Sequence, residues 1–304
     1  MSSTSHGGTP YYFVPEPSRH PAAAALGLFF VMLGASQWVN EVSWGKYSLF
    51  FGLFVWLFVL YQWFSEAVSE SETGKYGHKI DLSYRWSMSW FIFSEVMFFG
   101  AFFSALWWMR VHSVPALGNL SNAVLWPEFK SVWPSMAAGV TASPANIIEP
   151  FETMTPFWLP TINTALLLSS GITITIAHNL FRQNDRKNTI LFMWMTVALG
   201  IIFLGVQGYE YHHAYSELNL KLTSGAYGST FFMLTGFHGF HVFMGMLMLT
   251  VITLRLQKGH FTPEQHFGFE GAAWYWHFVD VVWLGLYILV YWMQVKNHIR
   301  LTRQ

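Results

Sequence analysis

Apolar residues fall into seven long runs separated by polar connections. The runs cover residues 21–39, 47–64, 86–108, 157–181, 189–209, 227–254 and 271–295. A helix needs about 20 such residues to cross a bilayer, and every run approaches or exceeds that length. In the fourth run, Leu166-Leu167-Leu168-Ser169-Ser170-Gly171 has no period of two, so the alternation of a barrel strand is missing. Lipid offers no partner to an open backbone, so each run is predicted to be a helix. The expected fold is all-α: a polytopic seven-helix domain over 21–295, with polar tails at 1–20 and 296–304. One connection, 109–156, is long. Its prolines (Pro115, Pro127, Pro134, Pro144, Pro150 and Pro156) suggest an ordered lid outside the membrane. The first twenty residues lack the basic region of a signal peptide, so they are read as a disordered tail and the first run as a retained helix.

Composition agrees with this pattern. Of 304 residues, 53% are hydrophobic and 11% charged, with 16 basic and 16 acidic side chains. A soluble domain carries about 25% charge. The balance excludes a disordered chain and an electrostatic nucleic-acid binder. Without cysteine there is no disulfide, no thiolate chemistry and no cysteine-ligated iron–sulfur cluster. Lys75, Lys79, Arg85, Arg182, Arg186, Lys187, Arg255 and Lys258 follow runs two, four and six, whereas only Lys46, Arg110, Lys130 and Lys221 follow runs one, three and five. That bias places the N-terminus in the cytoplasm and the C-terminus outside; Lys296, Arg300 and Arg303 argue the other way.

The seven runs contain two charged residues, Glu95 and Asp280. A carboxylate at such depth must face protein, be protonated, or both. Glu95 is either a proton-handling group or a neutral acid bonded between helices. Asp280 lies at matching depth, and His277 shares its helix face. This pair can relay protons or act as a polar clamp. His238 and His241 also share a face and could bind a metal or a haem iron; the simpler reading is packing beside Gly236, Gly239 and Gly245. Glu210 and His213 have the Glu-x-x-His spacing of di-iron bundles, but Glu210 is expected at the outer edge, in an interfacial belt with Tyr209, Tyr211 and Tyr215. Trp63, Phe64, Glu66 and Glu70 end the second run, and Arg255 and Lys258 end the sixth. Such clusters can hold a lipid headgroup or form an ordinary interfacial belt. Phosphate-binding glycine loops and a His-Glu-x-x-His motif are missing.

Three segments carry a more specific signal. They are Ser94-Glu95-Val96-Met97-Phe98-Phe99-Gly100-Ala101-Phe102-Phe103, the stretch from Tyr227-Gly228-Ser229-Thr230-Phe231-Phe232 to Gly236-Phe237-His238-Gly239-Phe240-His241-Val242, and the stretch from His266-Phe267-Gly268-Phe269-Glu270 to Trp274-Tyr275-Trp276-His277-Phe278-Val279-Asp280-Val281-Val282-Trp283. They closely resemble the cytochrome c oxidase subunit III family, from about residue 20 to 295. The resemblance implies a chain that binds no haem, copper or other metal and has no catalytic residue of its own. It implies subunit I, with the haem–copper centre, as main contact, subunit II and cytochrome c as further partners, and structural phospholipids. It also implies support for complex stability, lipid retention and proton uptake. The first two helices are expected to splay from the other five and form a lipid cleft. The family's lipid-contact pattern falls on Trp63, Phe64, Glu70, His78, Arg255 and Lys258. Glu95 matches its buried carboxylate, and His238, His241 and His277 become packing groups. Phe64, Ser65 and Ser69 replace a Trp and nearby Arg residues of mitochondrial members, which weakens phosphate binding there. The long 109–156 connection favours a bacterial inner membrane over a mitochondrial one. The alternative is a stand-alone di-iron or haem enzyme using Glu210, His213, His238 and His241. A transporter is disfavoured because no inverted repeat is visible.

Overall fold

Each apolar run folds as a helix, and most helices continue past the apolar residues. A computed structural model describes residues 17–119, 124, 131, 133–134, 151–263 and 265–293. The helices are α1 (His20–Val39), α2 (Gly45–Glu72), α3 (His78–Trp108), the single turn α4 (Val114–Leu117), α5 (Leu159–Arg182), α6 (Arg186–Ser216), α7 (Gly225–Lys258) and α8 (Phe267–Leu286). π-Helical turns extend α3 over Met109–Ser113 and α8 over Tyr287–Trp292. Seven helices are long and apolar enough to cross a membrane. No strand occurs among the described residues. Helical hydrogen bonding does not depend on side-chain hydropathy, so α6 runs to Ser216 although the apolar stretch stops at Tyr209. Both tails lie mostly outside the described residues.

The chain divides into two units, Met1–Trp86 and Ser87–Gln304. In the first, α1 and α2 form a hairpin held by backbone proximity. Gly27 and Gly34 on α1 and Gly45 and Gly52 on α2 are all buried. A Cβ on Gly34 would sit 2.2 Å from the Leu49 nitrogen, and one on Gly52 would sit 2.5 Å from the Val31 nitrogen. Only glycine allows this contact, which gains dispersion energy where lipid supplies no hydrophobic drive between helices. Most of the large side chains, among them Phe29, Met32, Phe50, Phe54 and Phe58, point outward.

The second unit builds a ring in which α5 packs on α6, α6 on α7, α7 on α8 and α8 back on α5. Asp185 caps α6 by accepting a hydrogen bond from the Asn188 backbone N–H at 3.2 Å. Gly259 ends α7 in the left-handed conformation, φ 84°. Trp276 and Trp283 fill the centre. Their indole N–H groups donate to Ser170 Oγ and Thr164 Oγ1, each at 2.9 Å, so the rings are buried without a polar penalty. Of the glycines expected at a close contact, Gly245 is one: a Cβ there would meet the Trp276 ring at 2.9 Å. Gly239 has open space, and Gly236 meets only the Tyr211 hydroxyl at 3.6 Å. The lid expected at 109–156 lies mainly outside the described residues. Two of its described residues meet α7: Phe151 stacks on Tyr227 with ring centroids 6.0 Å apart, and Trp133 meets the same ring edge-on.

Candidate functional site

Glu95 on α3 and His241 on α7 meet directly. Oε2 of Glu95 is 2.9 Å from Nε2 of His241. Phe99 and Phe240 pack edge-on against the imidazole, and Tyr275 stacks on it. On its other side the ring is fixed by the Phe237 carbonyl, 2.6 Å from Nδ1. A carbonyl can only accept, so Nδ1 carries a hydrogen. A neutral His241 therefore presents a bare Nε2, and the bond to Glu95 needs a proton between the two. That proton sits on the carboxyl group or on the ring. The hydrogen bond survives either placement, and the pair is net neutral in both, which suits its depth.

His238, one turn before His241, uses its nitrogens differently. Its Nε2 donates to the Val279 carbonyl at 3.2 Å, and the ring lies against Phe203 and Trp283. It is a buried packing group.

Asp280 meets His277 at 3.5 Å, Oδ2 to Nδ1. Both border a groove of about 380 Å³ between α5 and α8, with Gly171, Thr175 and Leu168 on its far wall. A Cβ on Gly171 would lie 2.5 Å from Asp280 Oδ2, so the glycine makes room for the carboxylate. His277 is half exposed and comes within 3.4 Å of the Thr175 hydroxyl.

Glu210 is not exposed beside the tyrosines expected around it. It is fully buried inside α6 and accepts a 2.6 Å hydrogen bond from the Tyr291 hydroxyl. Nearby, Asn163 donates to Gln207 at 3.2 Å. The apolar stretch ends at Tyr209, but the helix does not, and Tyr291 covers the carboxylate. Tyr209 and Tyr215 are exposed, as a belt requires, whereas Tyr211 bonds Thr235 at 2.8 Å. His213 pairs with Glu217 at 3.0 Å. Glu210, His213, His238 and His241 thus have four separate partners, and the structure does not bring them together as a metal or haem site.

The expected lipid-contact residues fall in both units. In the first, Trp63 and Phe64 are exposed near the end of α2, and Trp63 stacks on His20, which also reaches Glu66 at 2.7 Å. Glu70 accepts from Tyr76 at 2.9 Å, and His78 begins α3. Burial and hydrogen bonds to Tyr84 and Glu70 push the Tyr76 phenol well above its ordinary range, so it stays neutral. In the second unit, the Arg255 guanidinium lies 4.4 Å over the Phe261 ring, and Lys258 ends α7. Sequence reading overlooked His178 on α5, which comes close to His266 and Glu270 at the start of α8. Residues 88 positions apart, each at the edge of a run, give no local signal.

Comparison with known proteins is consistent across the chain. The family described as cytochrome c oxidase subunit III matches residues 9–126 and 120–295. The chain is 39% identical to cytochrome c oxidase subunit 3 of Latimeria chalumnae over 282 residues, covering 92% of this chain and 96% of the relative. It is 38% identical to the Drosophila melanogaster protein of that name over 290 residues, covering 95% and 98%.

Proposed function

The chain belongs to the cytochrome c oxidase subunit III family, and from that membership we propose that it acts as the non-redox accessory subunit of a proton-pumping oxidase. Subunit I reduces oxygen to water and is the main contact. Haem and copper stay with the partners, and subunit II passes electrons from cytochrome c. This chain contributes stability to the complex, retained phospholipid and a route for proton uptake. Its membrane is a bacterial plasma membrane, with the N-terminus cytoplasmic and the C-terminus periplasmic.

The Glu95–His241 contact carries this reading. A carboxyl group and an imidazole sharing one proton at 2.9 Å can shift that proton in response to a nearby charge without breaking their bond. Such a pair suits proton handling. The engagement of His238 and His213 with other protein groups supports a chain without redox ligands. Asp280 and His277 serve as a second polar pair. For lipid, Trp63, Phe64, Glu70 and His78 in one unit and Arg255 and Lys258 in the other combine aromatic faces with charges at helix ends, which suits headgroup level.

The test is a pull-down of the tagged chain in mild detergent. A reduced-minus-oxidised spectrum should show a haem a-type band that co-elutes with larger subunits. Haem iron and copper should leave with those subunits when they are stripped away. Haem or iron that stays with this chain alone would overturn the proposal.

A further inference from the structure

Outside the Glu95 site, one cluster of side chains has the make-up of a metal centre. His178 stands one turn before the end of α5, His266 is the residue before α8, and Glu270 lies in the first turn of α8. Among the described residues, these three form the one group of histidines and carboxylates whose donor atoms all lie within 4.8 Å of one another. The separations are 3.2 Å between the two Nε2 atoms, 3.2 Å from His266 Nε2 to Glu270 Oε1, and 3.8 Å from His178 Nε2 to the same oxygen. Zinc binds imidazole nitrogen and carboxylate oxygen at about 2.0–2.2 Å in tetrahedral geometry, which puts neighbouring ligands about 3.3–3.6 Å apart. The three observed edges bracket that range, so small side-chain rotations would close the triangle around an ion.

We propose that His178, His266 and Glu270 form a binding site for one zinc-like divalent cation that ties the end of α5 to the start of α8. Two imidazoles and one carboxylate select a borderline ion and leave one position for water; magnesium and calcium prefer all-oxygen sites. His266 and Glu270 are largely buried, and Phe181 and Phe269 wall the cluster, which holds the ligands in place. His178 is partly exposed and gives the ion access. The C-terminal end of α5 favours a cation, the N-terminal end of α8 opposes one, and the Glu270 charge offsets that opposition.

The experiment uses the purified oxidase complex. After chelator dialysis it is titrated with zinc chloride, and bound zinc is counted by elemental analysis. His178→Asn and Glu270→Gln complexes are compared after haem content confirms assembly. The expected result is one tight zinc in the parent complex, weakened at least about tenfold in each variant. Equal zinc stoichiometry and affinity in all three would overturn the proposal. If a variant fails to assemble, anomalous scattering at the zinc edge from the parent complex decides. A peak among these three side chains supports the site, and its absence there overturns it.

Discussion

The two units solve the problem of holding helices together in lipid in opposite ways. In the α1–α2 hairpin the backbones touch, through Gly27, Gly34, Gly45 and Gly52, and most large side chains face outward. The ring of α5 to α8 instead fills its centre with the side chains of Trp276, Trp283, Tyr227 and Phe203, and both tryptophan indoles donate hydrogen bonds. The difference teaches where function can reside. A glycine seam has no side chains to spare for chemistry, so the first unit can offer only its outer surface. The second unit carries Glu95, Asp280 and Glu210, because protein groups there replace the water that lipid excludes.

This contrast can be broken first at the seam. Gly34→Leu should separate α1 from α2 and cost about 3 kcal/mol, read as a lower unfolding midpoint in mixed detergent. Gly100→Ala is the control. A Cβ there meets nothing within 4 Å, so the midpoint should hold or rise slightly. In the second unit the weak point is hydrogen-bond satisfaction. Tyr291→Phe removes the donor to buried Glu210 and should cost about 1–3 kcal/mol in the same assay. Glu95→Gln should cost less than about 1 kcal/mol, because the Gln amide N–H can donate to the bare His241 Nε2 and keep the contact. Smallest in stability is Phe64→Ala on the exposed end of α2, expected within about 0.5 kcal/mol. Its effect should appear instead as lower phospholipid phosphorus per complex.

Much of this was legible in the residues. Seven apolar runs gave seven helices long enough to cross a membrane, and two charges inside them marked Glu95 and Asp280 as special. A rise of about 1.5 Å per residue gives depth from position. It does not give rotation about the helix axis, so position along the chain does not show that His241 turns toward Glu95. The burial of Glu210 was not legible either: hydropathy marks where apolar residues stop, not which side chain Tyr291 covers. The cluster of His178, His266 and Glu270 needs tertiary structure to appear at all. The glycine seam was overlooked, although the seven-residue spacing of Gly27 and Gly34, and of Gly45 and Gly52, was a signal that could have found it.

The most direct test of the account is turnover of an oxidase carrying Glu95→Gln. Haem content, proton-uptake rate and the number of turnovers before inactivation are measured on one preparation. The shared-proton pair predicts intact haem with slower proton uptake or earlier inactivation, because a glutamine keeps the hydrogen bond but cannot pass the proton. Loss of haem insertion, or unchanged proton uptake and lifetime, would contradict it.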